Sequence, residues 1–119
     1  MTQLETLQKL VSDFCDERDW TQFHGLKDLA IGLSTESNEL LQLFRFKSEE
    51  ECLAYLKANP EKVENEVADV FYYLLRLTDL YGLDLELGLR HKMIENEAKY
   101  PISKVKGKNL KYDEYDQGE

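Results

Sequence analysis

The stretches STESNELLQLF (residues 34–44) and VENEVADVFYYLL (residues 63–75) decide the fold. Each sets two carboxylates three residues apart within an apolar run: Glu36 and Glu39 in the first, Glu66 and Asp69 in the second. Residues i and i+3 share one face of an α-helix, so each pair projects together. Leu33, Leu40 and Leu43 crowd the first pair, and Val67, Val70, Phe71, Leu74 and Leu75 crowd the second, which points to partial burial. Two readings follow. The pairs are solvated stripes on surface helices, or the two helices pack antiparallel and the four carboxylates meet across one seam. In the second case their repulsion calls for protons or a cation. An all-oxygen ligand set suits Mg²⁺ or Mn²⁺ in octahedral geometry.

The rest of the chain reads as helices joined by short turns. Leu4, Leu7, Leu10, Val11 and Phe14 predict an amphipathic helix near 2–18, followed by a loop holding DWTQFHGL. A second helix is expected over 27–44. Ser48 and Glu51 match a capping box and open a short helix to about Ala58. Asn59 and Pro60 read as the cap and first position of a long helix that ends near Tyr81 at Gly82. Asp84 caps a last helix that runs to about Lys99 and stops at Pro101. No stretch sustains period-two alternation, so the expected fold is an all-α bundle. Its two longest helices pack antiparallel, because the short helix between them returns the chain.

A length of 119 residues suits one domain over 1–119, with 100–119 as a Lys-rich extended tail. The net charge of −9 lacks the basic face that grips nucleic-acid polymers. No apolar run approaches the ~20 residues of a membrane span. The start, MTQLETLQKL, lacks the basic and apolar regions of a signal peptide, so a cytoplasmic protein with reduced Cys15 and Cys52 is expected. A di-iron bundle would need Glu-x-x-His, but Thr21 precedes His24 by three and Gly88 precedes His91 by three. A non-catalytic helical interaction module remains the alternative.

The chain resembles the MazG-like all-α nucleoside triphosphate pyrophosphohydrolases, near the dCTP pyrophosphatase subgroup. The resemblance rests on Glu36-x-x-Glu39 and Glu66-x-x-Asp69 with residues 40–65 between them. It also rests on ERDWTQFH at 17–24, KDLAIGLSTESNEL at 27–40, EVADVFYYLLRL at 66–77 and KMIENEAKYP at 92–101. Thr35 stands where that family's tandem Glu begins, and Phe46 stands where relatives often carry Trp. The resemblance implies Mg²⁺-dependent hydrolysis of a (deoxy)nucleoside triphosphate to monophosphate and pyrophosphate. It also implies assembly as a homodimer or homotetramer. Glu36, Glu39, Glu66 and Asp69 would hold the metal, with Glu39 taking a proton from water. Lys92 and Asn96 would meet phosphate, with Lys99 a turn further on. Trp20, Phe46 and Tyr73 are candidates to stack on the base, and His24 to touch sugar or base, although a loop hydrogen bond within the protein fits His24 equally well.

Overall fold

The structure is a computed structural model and describes residues 1–110 and 112–115. Among these residues there are helices and turns but no strand. The helices are α1 (Gln3–Glu17), α2 (Leu26–Gln42), α3 (Glu49–Ala58), α4 (Pro60–Leu80), α5 (Leu85–Lys99), α6 (Ile102–Val105) and α7 (Tyr112–Tyr115). A 3₁₀ turn spans Thr21–Phe23. Two compact units are distinguished, Met1–Leu83 and Asp84–Glu119.

In the first unit α4 is the central helix, and α1, α2 and α3 lie against it. Local chemistry fixes its ends. Pro60 stands at the first position, where its missing N–H costs nothing. Gly82 ends the helix with φ +67°, a left-handed conformation that glycine adopts without penalty. Asn59 does not cap α4 through its side chain as expected. Its Nδ2 instead donates to the Tyr55 carbonyl (3.2 Å), closing the end of α3. Ser48 and Glu51 form the expected capping box. Thr2 and Glu5 form another at the start of α1.

Helix α2 is shorter than its periodicity suggests. Leu43 and Phe44 donate to the carbonyls of Leu40 and Leu41, so the last turn tightens to i→i+3 spacing and regular helix ends at Gln42.

Contacts along the seams give the helix directions. Gln8 Nε2 donates to Thr78 Oγ1 (3.2 Å), and Cys15 Sγ lies 3.2 Å from Tyr72 Oη, so α1 runs antiparallel to α4. Among the described residues, Leu29, Leu75 and Cys15 are the buried apolar ones, and Arg76 and Thr78 are buried as well. Cys15 and Cys52 are free thiols.

Val67 and Phe71 do not crowd the Glu66–Asp69 pair as expected. Both are exposed, along with Leu10, Phe14, Ile31 and Leu41.

In the second unit, Asp84 Oδ1 accepts from Leu87 N (2.9 Å) and starts α5 as expected, and Pro101 follows its end. The stretch expected as an extended tail is not wholly extended, because Pro101 opens the short α6 and Gly107 (φ +78°) follows it. Lys111 and residues 116–119 of that stretch lie outside the described residues. No described helix is long and apolar enough to cross a membrane.

Candidate metal centre

The α2–α4 seam is antiparallel. His24 pairs with Arg76, residue 32 faces Tyr73, and Glu36 and Glu39 face Glu66 and Asp69. Position numbers rise on one helix as they fall on the other. Each acidic pair projects from one helix face, and the seam brings the two pairs together. One carboxylate oxygen from each of Glu36, Glu39, Glu66 and Asp69 lies within 4.8 Å of the others. No histidine or cysteine joins the group among the described residues, so a Glu-x-x-His di-iron centre has no counterpart here.

The four are not equivalent. Glu36 and Glu66 are half-buried, while Glu39 and Asp69 are exposed. Glu36 Oε2 and Glu66 Oε2 are sealed from solvent and have no hydrogen-bond partner among the described residues. A buried acceptor without a donor is costly. Burial, followed by the neighbouring Glu39, Asp69 and Glu66 carboxylates, pushes the Glu36 carboxyl up to about 7. Burial and the charges of Glu39 and Asp69 also raise Glu66. A hard divalent cation fits this arrangement, since it would give the orphaned oxygens a partner and offset the repulsion.

Tyr73 forms the next layer. It follows Asp69 by four residues on the same face of α4. Burial raises its phenol, and so do the charges of Glu36, Asp69 and Glu39. The other expected ligand contacts each have their own surroundings. Trp20 packs edge-on against Phe14 with ring centroids 5.5 Å apart. His24 accepts at Nδ1 from Arg76 Nε (3.0 Å), the internal bond that was its alternative reading. Phe46 is 89% exposed in the turn after α2, with the Arg45 guanidinium 4.9 Å from its ring centre. In the second unit Lys92, Asn96 and Lys99 share one face of α5. Glu95 lies 3.4 Å from Lys92 and 3.0 Å from Lys99. Asn96 Nδ2 donates to Met93 Sδ (3.8 Å).

The sequence reading missed Arg76, Thr21, Gly32 and Glu95. The position of Arg76 carried a signal, because it follows Tyr73 by three and Asp69 by seven on the same stripe of α4.

Fold and site together define an all-α protein with a four-carboxylate cluster on an antiparallel helix pair. The chain belongs to the MazG-like family, whose model matches residues 31–115. It is 33% identical to dCTP pyrophosphatase 1 of Rattus norvegicus over 117 residues, covering 97% of this chain and 69% of that protein. The human dCTP pyrophosphatase 1 is 32% identical over the same length and shares. A solved pyrophosphatase structure from Archaeoglobus fulgidus superposes with a TM-score of 0.80 at 36% identity, covering 85% of this chain and 94% of that one.

Proposed function

We propose that the chain is a nucleoside triphosphate pyrophosphohydrolase that uses Mg²⁺, with Mn²⁺ as a substitute. It would convert a (deoxy)nucleoside triphosphate and water to the monophosphate and pyrophosphate, with dCTP-like substrates favoured. The observation that carries this reading is the convergence of four carboxylates with two partnerless buried oxygens. A solvated acidic stripe, as in a non-catalytic module, would leave every oxygen to water. The family match supports the reaction class, and it spans both compact units, so we take 1–119 as one catalytic domain.

Glu36, Glu39, Glu66 and Asp69 would hold the metal. When bound it supplies positive charge against the triphosphate and acidifies a water. We assign Glu39, the more exposed member of its pair, to take that water's proton. The water oxygen bonds to the α-phosphorus, the α–β bridging P–O bond breaks, and pyrophosphate leaves with the electron pair. Lys92 and Asn96 would bind the phosphates, with Lys99 beside them. Trp20, Phe46 and Tyr73 would frame the base, and His24 would touch the nucleoside.

The exposed apolar faces and the uncovered Phe46 ring support self-association as a homodimer or homotetramer, with the site completed at a subunit boundary. The free thiols fit a cytoplasmic setting in which the enzyme clears the nucleotide pool. The test is a panel of canonical and modified deoxynucleotides with Mg²⁺, assayed for pyrophosphate, followed by mass spectrometry after reaction in ¹⁸O-water. Label in the monophosphate is expected. Orthophosphate and a diphosphate as primary products would overturn the assignment.

A further inference from the structure

Arg76 is 1% exposed, yet it forms no ion pair with a carboxylate among the described residues. Burying a guanidinium this way is costly, and an apolar side chain in its place would pack more cheaply. What the residue provides instead is directional bonding. Its Nε donates to His24 Nδ1 (3.0 Å), and its Nη2 donates to Thr21 Oγ1 (2.8 Å). The Thr21 hydroxyl in turn donates a hydrogen bond to Asp16 Oδ1 (3.2 Å), so the nearest charge on this path is one hydroxyl away. Farther along α4, Tyr81 Oη donates to the His24 carbonyl (2.6 Å). Three side-chain bonds from the α4 side therefore tether the irregular segment between α1 and α2 to the core, adding to local bonds such as Trp20 N to the Cys15 carbonyl (3.1 Å) and Gln22 Nε2 to Asp19 Oδ2 (3.1 Å). The backbone bonds of Phe23 and His24 to Trp20 and Thr21 close only a single turn. Asp19, a non-glycine residue, sits at φ +54° beside Trp20.

We infer that Arg76 is a positioning residue for nucleoside recognition. Acting through His24 and Thr21, it holds the turn that carries Trp20 and fixes the imidazole as an Nε2–H donor. This rests on the proposed roles of Trp20 and His24. Because Nδ1 is the acceptor, the ring is neutral and its proton is on Nε2, so the free nitrogen offers a donor to a sugar or base acceptor. Burial, followed by the Arg76 charge, lowers the tendency of His24 to protonate, against an opposing pull from Asp28. Arg76 follows Asp69 by seven residues, roughly 10 Å along the helix axis, so its effect on the carboxylates is separable from its effect on the turn.

Trp20 is the single tryptophan in the chain, so its emission reports on this turn. The experiment uses the full chain, wild type and Arg76→Lys and Arg76→Met. Lysine keeps the charge but cannot serve both acceptors, and methionine keeps much of the stem. Four readouts are taken: Trp20 emission on titration with a non-hydrolysable α,β-imido dCTP plus Mg²⁺, steady-state kinetics with dCTP, Mn²⁺ binding without nucleotide by electron paramagnetic resonance, and the ¹⁵N shifts of the His24 imidazole by nuclear magnetic resonance.

Both variants should weaken nucleotide binding and raise KM by about tenfold, the scale of a lost hydrogen bond to a charged group, while kcat stays within about twofold. Mn²⁺ affinity should not change. The ¹⁵N shifts of the imidazole should move from a pure Nε2–H tautomer to a mixture. Wild-type nucleotide affinity in a folded Arg76 variant overturns the inference. So does a parallel loss of Mn²⁺ affinity, which would mean that Arg76 props up the helix pair. If neither variant folds, Thr21→Val decides: weakened nucleotide binding supports the role, and wild-type binding defeats it. Wild-type emission and turnover that ignore every nucleotide would instead overturn the nucleotide reading itself.

Discussion

Gly32 and Tyr73 meet across the α2–α4 seam with no room for a side chain between them. A Cβ on residue 32 would lie 2.5 Å from Tyr73 Cζ and 2.9 Å from Cδ1, and closer still to Cε1. Within a helix a glycine costs roughly 1 kcal/mol relative to alanine, so this position sacrifices helix stability for a close approach. The approach seats the Tyr73 ring on the backbone of α2, one turn from Glu36.

Gly32→Ala should therefore change sign with its context. In the wild-type background the methyl group forces the ring aside, and overpacking of this kind costs about 1–3 kcal/mol, outweighing the helix gain. In a Tyr73→Ala background the clash is gone, and the same substitution should stabilise the protein by about 0.5–1 kcal/mol through helix propensity. Denaturant melts of the four proteins complete the cycle. The same destabilisation in both backgrounds would show that the ring does not set this contact.

Glu36 gives a pH signature to the metal-free protein. Its carboxyl is raised from 4.5 to about 7 by burial and by the neighbouring carboxylates. The folded state thus holds a proton that the unfolded chain releases. The stabilisation is complete below about pH 4.5 and is lost as pH rises to about 7. Glu36→Gln mimics the protonated form at every pH. In chelator, the stability of the wild type minus that of Glu36→Gln should fall between those two pH values. A flat difference across that window would mean that Glu36 is an ordinary exposed carboxylate.

Much of this site could be read from spacing, because its chemistry is local to each helix. The i,i+3 pairs, the Ser48–Glu51 box, Asp84, Pro60 and Gly82 each act within one turn. What could not be read depends on partners far apart in sequence. Arg76 and His24 are separated by 52 residues, and no period in the chain joins them. Gly32 looks like a helix weakness until Tyr73 is placed against it. Asn59 fits a cap by type, but its amide found the Tyr55 carbonyl first. Val67 and Phe71 read as cover for the Glu66–Asp69 pair because a helix with apolar residues on several sides does not say which of them its own chain buries, and both are exposed.

On α5 the expected phosphate ligands already have a competitor. Glu95 bridges Lys92 (3.4 Å) and Lys99 (3.0 Å), and the Lys99 bond, followed by the Lys92 charge, holds its carboxyl below the usual range. Exposed pairs of this kind are weak, so Glu95→Gln should leave the melting temperature unchanged and lower KM for a triphosphate by about two- to threefold. Lys92→Ala should act in the opposite direction, raising KM by about tenfold, as expected for a lost contact to a charged group. If Glu95→Gln raises KM, the glutamate is itself a ligand contact and the lysines are not in competition for it. If Lys92→Ala lowers the melting temperature but leaves kcat/KM intact, Lys92 is structural.

The last prediction asks whether the four carboxylates act as one site. Two like charges about 4 Å apart repel by about 1 kcal/mol in water and about 4 kcal/mol at an effective dielectric of 20. With one oxygen from each group inside 4.8 Å, the metal-free seam carries strain of that kind. Asp69→Asn and Glu66→Gln each remove one charge and keep the shape. Without metal, both should be as stable as wild type or more stable. With metal the order should reverse. Wild type gains RT ln(1 + [L]/Kd) because the folded state alone binds, about 2.7 kcal/mol at a hundredfold excess over Kd, and the variants should lose most of that gain. Turnover should fall in the same variants by about a hundredfold or more, since the charge that offsets the triphosphate is no longer held in place. The measurement is a thermal melt of each protein in chelator, in Mg²⁺, and in Mg²⁺ with a non-hydrolysable nucleotide, alongside pyrophosphate release. A wild-type melt indifferent to metal and nucleotide, together with full turnover in Asp69→Asn, would leave the cluster as four neighbouring acids with no shared task.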